Sequence, residues 1–82
     1  MLTNKEELAN LAVNLRLWLE EKGKTQTDLA AASGVPQPTI SNLLREKYDP
    51  SVCAVSRLAK ALKKPIDDLL SPPPRRKLQK SA

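Results

Sequence analysis

No histidine occurs in the 82 residues, and there is a single cysteine, Cys53. One cysteine excludes an internal disulfide, and nothing beside it suggests a metal cluster. Cys53 is expected to be a small residue on a helix. There is no glycine-rich phosphate loop, because the two glycines stand alone at Gly23 and Gly34. No serine or cysteine has a plausible base beside it, so nucleophilic and acid–base catalysis lack their parts. An enzyme is therefore not expected, and no cofactor is implied. No apolar run is long enough to span a bilayer, and the opening MLTNKEEL is polar and acidic rather than signal-like. A cytoplasmic protein with no membrane partner is expected.

The chain carries a formal net charge of +5, unevenly spread. Residues 1–70 hold ten Lys/Arg against nine Asp/Glu, whereas residues 71–82 hold Arg75, Arg76, Lys77 and Lys80 with no acid. Within the body the positive excess falls in residues 36–64. Phosphates, if bound, would have to sit there. The length makes one small domain, near the limit at which a single core suffices.

The stretch Gln26–Arg45, QTDLAAASGVPQPTISNLLR, reads as two short helices joined at Gly34. Thr25 stands as an N-cap with Asp28 three residues on, the spacing of a capping box. Gly34 falls where a left-handed turn is cheapest. Ile40, Leu43 and Leu44 repeat at three- and four-residue spacing, which marks a buried face. The opposite face carries Gln37, Pro38, Ser41, Asn42 and Arg45. An amide-rich face ending in arginine suits the DNA major groove. Gln and Asn can bind adenine bidentately, and arginine anchors phosphate or guanine. Gln37, Ser41 and Asn42 are the candidate base readers and Thr39 the residue expected to meet phosphate; the alternative is a solvated helix surface. Pro36 and Pro38 are tolerated in a first helical turn, whose N–H groups have no intrahelical partner. The second helix is expected to start near Pro36 or Gln37.

In these residues the sequence resembles the lambda-repressor-like (Cro/repressor-type, XRE) helix-turn-helix DNA-binding proteins, from about Asn14 to Leu70. The resemblance rests on Thr25-Gln26, Leu29-Ala30, Ser33-Gly34-Val35, Ile40-Ser41, Pro50 and the later LAKALKKPIDDLL. It implies an all-α, compact five-helix domain over residues 1–70, with helices 2 and 3 forming the motif. It also implies phosphate contacts from Gln26 and Lys47 and a dimer contact among Ile66, Leu69 and Leu70, while Arg45, at the end of the polar face, is expected with Thr39 to position the protein on phosphate. Many members pair an arginine late in helix 1 with a glutamate late in helix 3. Here Leu19 and Leu44 stand at those places, and they are expected to touch, since an apolar pair avoids desolvating two charges.

Along the rest of the chain, Leu8, Leu11, Ala12, Leu15, Trp18 and Leu19 give residues 5–22 a helical stripe, with Thr3 or Asn4 as cap and Gly23 as stop. Val13 and Leu17 lie off that stripe and suit either a wide core contact or a dimer surface. Tyr48 stands where members of that family often meet the sugar-phosphate backbone; the alternative is a ring that covers the core edge with its hydroxyl wet. Ser51 caps a fourth helix with Val52, Val55, Leu58, Ala59 and Leu62 facing inward. Arg57, Lys60, Lys63 and Lys64 project from it. Pro65 opens a short last helix. Pro72, Pro73 and Pro74 then start an extended, basic, disordered tail over residues 71–82.

The composite is a sequence-specific DNA-binding transcriptional regulator, most simply a repressor binding a palindromic operator as a homodimer. Two other readings stay open. One is an antitoxin-like DNA-binding protein that also binds a toxin. The other is a protein-interaction adaptor on the same fold.

Overall fold

The computed structural model describes residues 4–72 as five α-helices: α1 (Lys5–Lys22), α2 (Gln26–Ser33), α3 (Gln37–Leu44), α4 (Val52–Leu62) and α5 (Ile66–Leu70). Each of the longer helices starts on a side chain that satisfies free backbone donors. Asn4 caps α1, accepting from the Glu7 N–H at 2.7 Å, while the Glu7 carboxylate accepts from the Asn4 N–H at 3.3 Å. Ser51 caps α4 through the Ala54 N–H at 3.1 Å. Replacing such a cap by alanine typically costs about 1 kcal/mol.

The core is one cluster in which every helix takes part: Leu11, Leu15, Trp18 and Leu19 from α1, Leu29 from α2, Ile40, Leu43 and Leu44 from α3, Val55, Leu58, Ala59 and Leu62 from α4, and Leu69 from α5. Val35 joins it from the turn before α3. Burying a leucine or isoleucine side chain contributes about 1.5–3 kcal/mol. α1 packs against α3 and α5, α2 against α3 and α4, and α4 against α5. Leu19 and Leu44 are both buried in that core, on two helices that pack together.

Two expectations are corrected by burial. Val52, assigned to the inner stripe of α4, is 62% exposed, and Ala54 takes the inward place instead. The cap on Ser51 makes Val52 the first helical residue, before the buried arc of 54, 55, 58, 59 and 62 begins. Leu69, expected at a dimer contact, is 0% exposed. α5 is so short that its one inward position is absorbed by the core, so Leu69 has no surface to offer a second chain. Ile66 is exposed and Leu70 half-buried. Of the residues off the α1 stripe, Val13 is exposed and Leu17 half-buried. Cys53 is exposed on α4. From residue 73 on, the expected tail lies outside the described residues.

α5 is held in place by polar groups that periodicity does not reveal. The Asn14 amide donates to the carbonyls of Leu69 at 2.8 Å and Ser71 at 2.9 Å, and Asn10 donates to that of Leu70 at 3.1 Å. Asn10 and Asn14 are one turn apart on α1, so two neighbouring amides satisfy the carbonyls that end α5.

Left-handed backbone follows the first four helices, with glycine at Gly23 (φ 64°) and Gly34 (φ 79°) but with Glu46 (φ 59°) after α3 and Lys63 (φ 59°) after α4. At Glu46 the turn is closed by the Lys47 N–H on the Asn42 carbonyl at 2.8 Å. A residue with a Cβ is strained there. Glu46→Gly is expected to raise stability by about 0.5–1 kcal/mol, and Gly34→Ala to lower it by a similar amount, after allowing for glycine's looser unfolded chain. A Cβ at Gly34 would meet nothing within 4 Å, so its cost is conformational. Urea midpoints should move in opposite directions at constant slope.

Candidate nucleic-acid interface

The turn between α2 and α3 is built from its hydrogen bonds outward. Thr25 caps α2 by accepting from the Asp28 N–H at 3.2 Å, and the Asp28 carboxylate accepts from the Thr25 N–H at 3.0 Å. The backbone N–H of Thr25, and then its side chain, hold the Asp28 carboxyl below its ordinary value. Lys24 adds to that effect and a slight desolvation opposes it. At the other end of α2 the Gly34 N–H closes on the Ala30 carbonyl at 2.9 Å. Ser33 Oγ donates to the Leu29 carbonyl at 2.7 Å and accepts from the Val35 N–H at 3.1 Å. That hydroxyl ties the end of α2 to the turn before α3, and Val35 goes into the core.

α3 starts at Gln37 with Pro36 as its N-cap and Pro38 in the first turn, where the missing donor is harmless. Ile40, Leu43 and Leu44 are buried, which turns the opposite side outward. At about 100° per residue, Gln37, Ser41, Arg45, Pro38 and Asn42 follow one another over an arc of about 140°. Thr39 is half-buried on the flank between that arc and the core. Gln37, Pro38, Asn42, Arg45 and Lys47 are exposed, while Ser41 and Gln26 are half-buried.

The fold pairs four of these residues. Gln37 Nε2 donates to Gln26 Oε1 at 2.9 Å, joining the first residues of the two helices. The bond leaves Gln37 its own carbonyl oxygen and a second N–H, the acceptor and donor that an adenine edge requires. Arg45 Nη2 donates to Ser41 Oγ at 2.9 Å, one turn back along α3. Lys47 lies beyond the left-handed Glu46 and joins the group only through its backbone bond to Asn42. Arg57, Lys60, Lys63 and Lys64 are exposed on and just after α4.

Arg16 is a contributor that the periodicity of α1 passes over. Its Nη2 donates to the Leu44 carbonyl at 2.8 Å, across 28 residues of chain. The bond ties α1 to the C-terminal end of α3, where carbonyls carry partial negative charge. Only the crossing of α1 over α3 reveals it.

The model of the helix-turn-helix family matches residues 15–69, which span all of this turn and both of its helices. The chain belongs to the XRE-type helix-turn-helix family. The structure of a hypothetical transcription factor, NHTF, from Neisseria is similar over 100% of this chain and 92% of that one, at 29% identity and a TM-score of 0.78. Among curated proteins none is significantly similar. The helix-turn-helix match and the all-helical fold make the chain a DNA-binding transcriptional regulator, a class that generally has no catalytic centre. Among the described residues no helix is long and apolar enough to cross a membrane.

The Thr25–Asp28 box has a pH signature. Because the folded carboxyl is more acidic than the unfolded one, its stabilisation is present above the ordinary carboxylate range and is lost as pH falls through the folded value. The melting-temperature gap between wild type and Asp28→Asn should be widest above about pH 5 and close in acid. A gap that is constant with pH would show that the carboxylate charge plays no part.

Proposed function

We propose that this regulator is a sequence-specific repressor that binds a palindromic operator as a homodimer, with α3 in the major groove. The observation that carries the reading is the outward arc of α3, whose Gln37 is braced by Gln26 while its adenine-reading donor and acceptor stay free. Gln37 and Asn42 supply amides to base edges, and Ser41 and Arg45 face the same groove. Gln26, Thr39 and Lys47 engage the sugar-phosphate backbone on either side. The N-terminus of α2, where Gln26 sits, also directs free amides toward an anion.

The homodimer follows from size and from surface. One small domain covers too few base pairs for strong discrimination, and a two-fold pair doubles the site at no cost in new sequence. Ile66, with the half-buried Leu70, is the apolar surface that α5 leaves for the second copy. Repression follows from occupying the operator.

Selection from a randomised duplex library at moderate salt tests this directly. A two-fold symmetric motif with half-sites about 34 Å apart is expected. The triple variant Gln37→Ala, Ser41→Ala, Asn42→Ala should lose the motif while keeping its fold. Retention of duplexes without any motif, vanishing steeply as salt rises, would mean binding to backbone alone and would overturn the sequence-reading role. No retention at all would favour a protein partner over DNA.

A further inference from the structure

The bond between Ser41 and Arg45 divides labour on α3 in a way that residue type alone does not suggest. Resting on the DNA-reading role proposed above, we infer that Arg45 reads a guanine in each half-site and that Ser41 is its positioning residue, not a reader of its own base. Three observations carry this. Arg45 Nη2 donates to Ser41 Oγ at 2.9 Å, one turn back along α3. Ser41 is half-buried and its oxygen already accepts from the guanidinium, whereas Arg45 is exposed. Finally, Arg45 is the last residue before the chain turns away at the left-handed Glu46, so its side chain reaches back over the preceding turn of α3.

The consequence is a guanidinium laid along the middle of the outward arc, between the directions of Ser41 and Asn42, instead of reaching sideways to the rim. Phosphates flank a groove-bound helix, and base edges lie beneath its centre. An arginine has five N–H donors, and the bond to Ser41 uses one. The remaining donors suffice for the O6 and N7 acceptors that guanine presents in the major groove. Arg45 also carries several rotatable bonds, and the hydroxyl one turn away removes part of that freedom before DNA arrives.

The test is duplex selection with wild type, Ser41→Ala, Ser41→Thr, Arg45→Ala, Arg45→Lys and the double alanine variant, each first shown to melt cooperatively. One G·C pair per half-site should lose about 5- to 150-fold of its guanine preference in Arg45→Ala. Arg45→Lys should lose most of it too, because lysine lacks the planar fork. Ser41→Ala should weaken the preference at that same pair by about 3- to 10-fold. Ser41→Thr, which retains the hydroxyl, should restore it, and the double variant should look like Arg45→Ala alone. Ser41→Ala altering a different base pair would overturn the inference. So would Arg45 variants that lower affinity for every sequence alike with a shallower salt dependence, the mark of a phosphate contact. A wild-type motif lacking the shared guanine defeats this inference alone. A wild type with no motif defeats the reading on which it rests.

Discussion

Burial of Ile40, Leu43 and Leu44 beneath α1 and α2 is the constraint on which the rest depends. α3 has eight residues, too few for a helix to persist by itself in water. Its existence and its rotation about its own axis are therefore set together by packing. Once those three side chains are inward, Gln37, Ser41, Asn42 and Arg45 have no choice but to face out. The presentation of the polar arc is a by-product of core formation, which is why so small a domain can hold it rigidly.

α1 is the scaffold for both ends of the molecule. It gives Leu11, Leu15, Trp18 and Leu19 to the core, and it also provides the polar ties that periodic apolar patterns do not forecast. Asn10 and Asn14 hold the last carbonyls of α5, and Arg16 holds the last carbonyl of α3. Each bond satisfies a helix-terminal acceptor that would otherwise need water. Leu19 and Leu44 stand apolar and buried where the family often carries an ion pair, and the charged group that links α1 to α3 is Arg16, on the Leu44 carbonyl. That arrangement avoids the desolvation cost of a buried charge pair and keeps an arginine near the end of α3.

The helix termini show the opposite economy. α2 has a capping box at one end and a glycine in the left-handed conformation at the other. α3 has no side-chain cap and ends on Glu46 with positive φ. α4 likewise ends on a left-handed Lys63. The motif's first helix is thus locally well specified, and its second depends on its neighbours. A strained, charged turn directly after α3 also sends the chain away from the outward arc at Arg45, leaving that face uncovered.

Local chemistry made much of this legible without coordinates. Thr25 with Asp28, Gly34, the Ile40–Leu43–Leu44 repeat and Ser51 are short-range signals, because caps, turns and helical faces are decided within a few residues. They determine the second and third helices, the start of the fourth, the turn between the second and third, and which side of α3 is polar. What only the tertiary structure decided is how residues far apart in sequence meet. The Gln26–Gln37 bond depends on the angle between two helices, and the grip of Arg16, Asn10 and Asn14 on distant carbonyls depends on how α1 crosses α3 and α5. Val52 and Leu69 mark the same boundary. Both are apolar at plausible helical spacing, yet one lies outside the buried arc and the other is absorbed by the core. Periodicity reports that a helix has an apolar face; what covers each part of that face is settled only when the other helices pack against it.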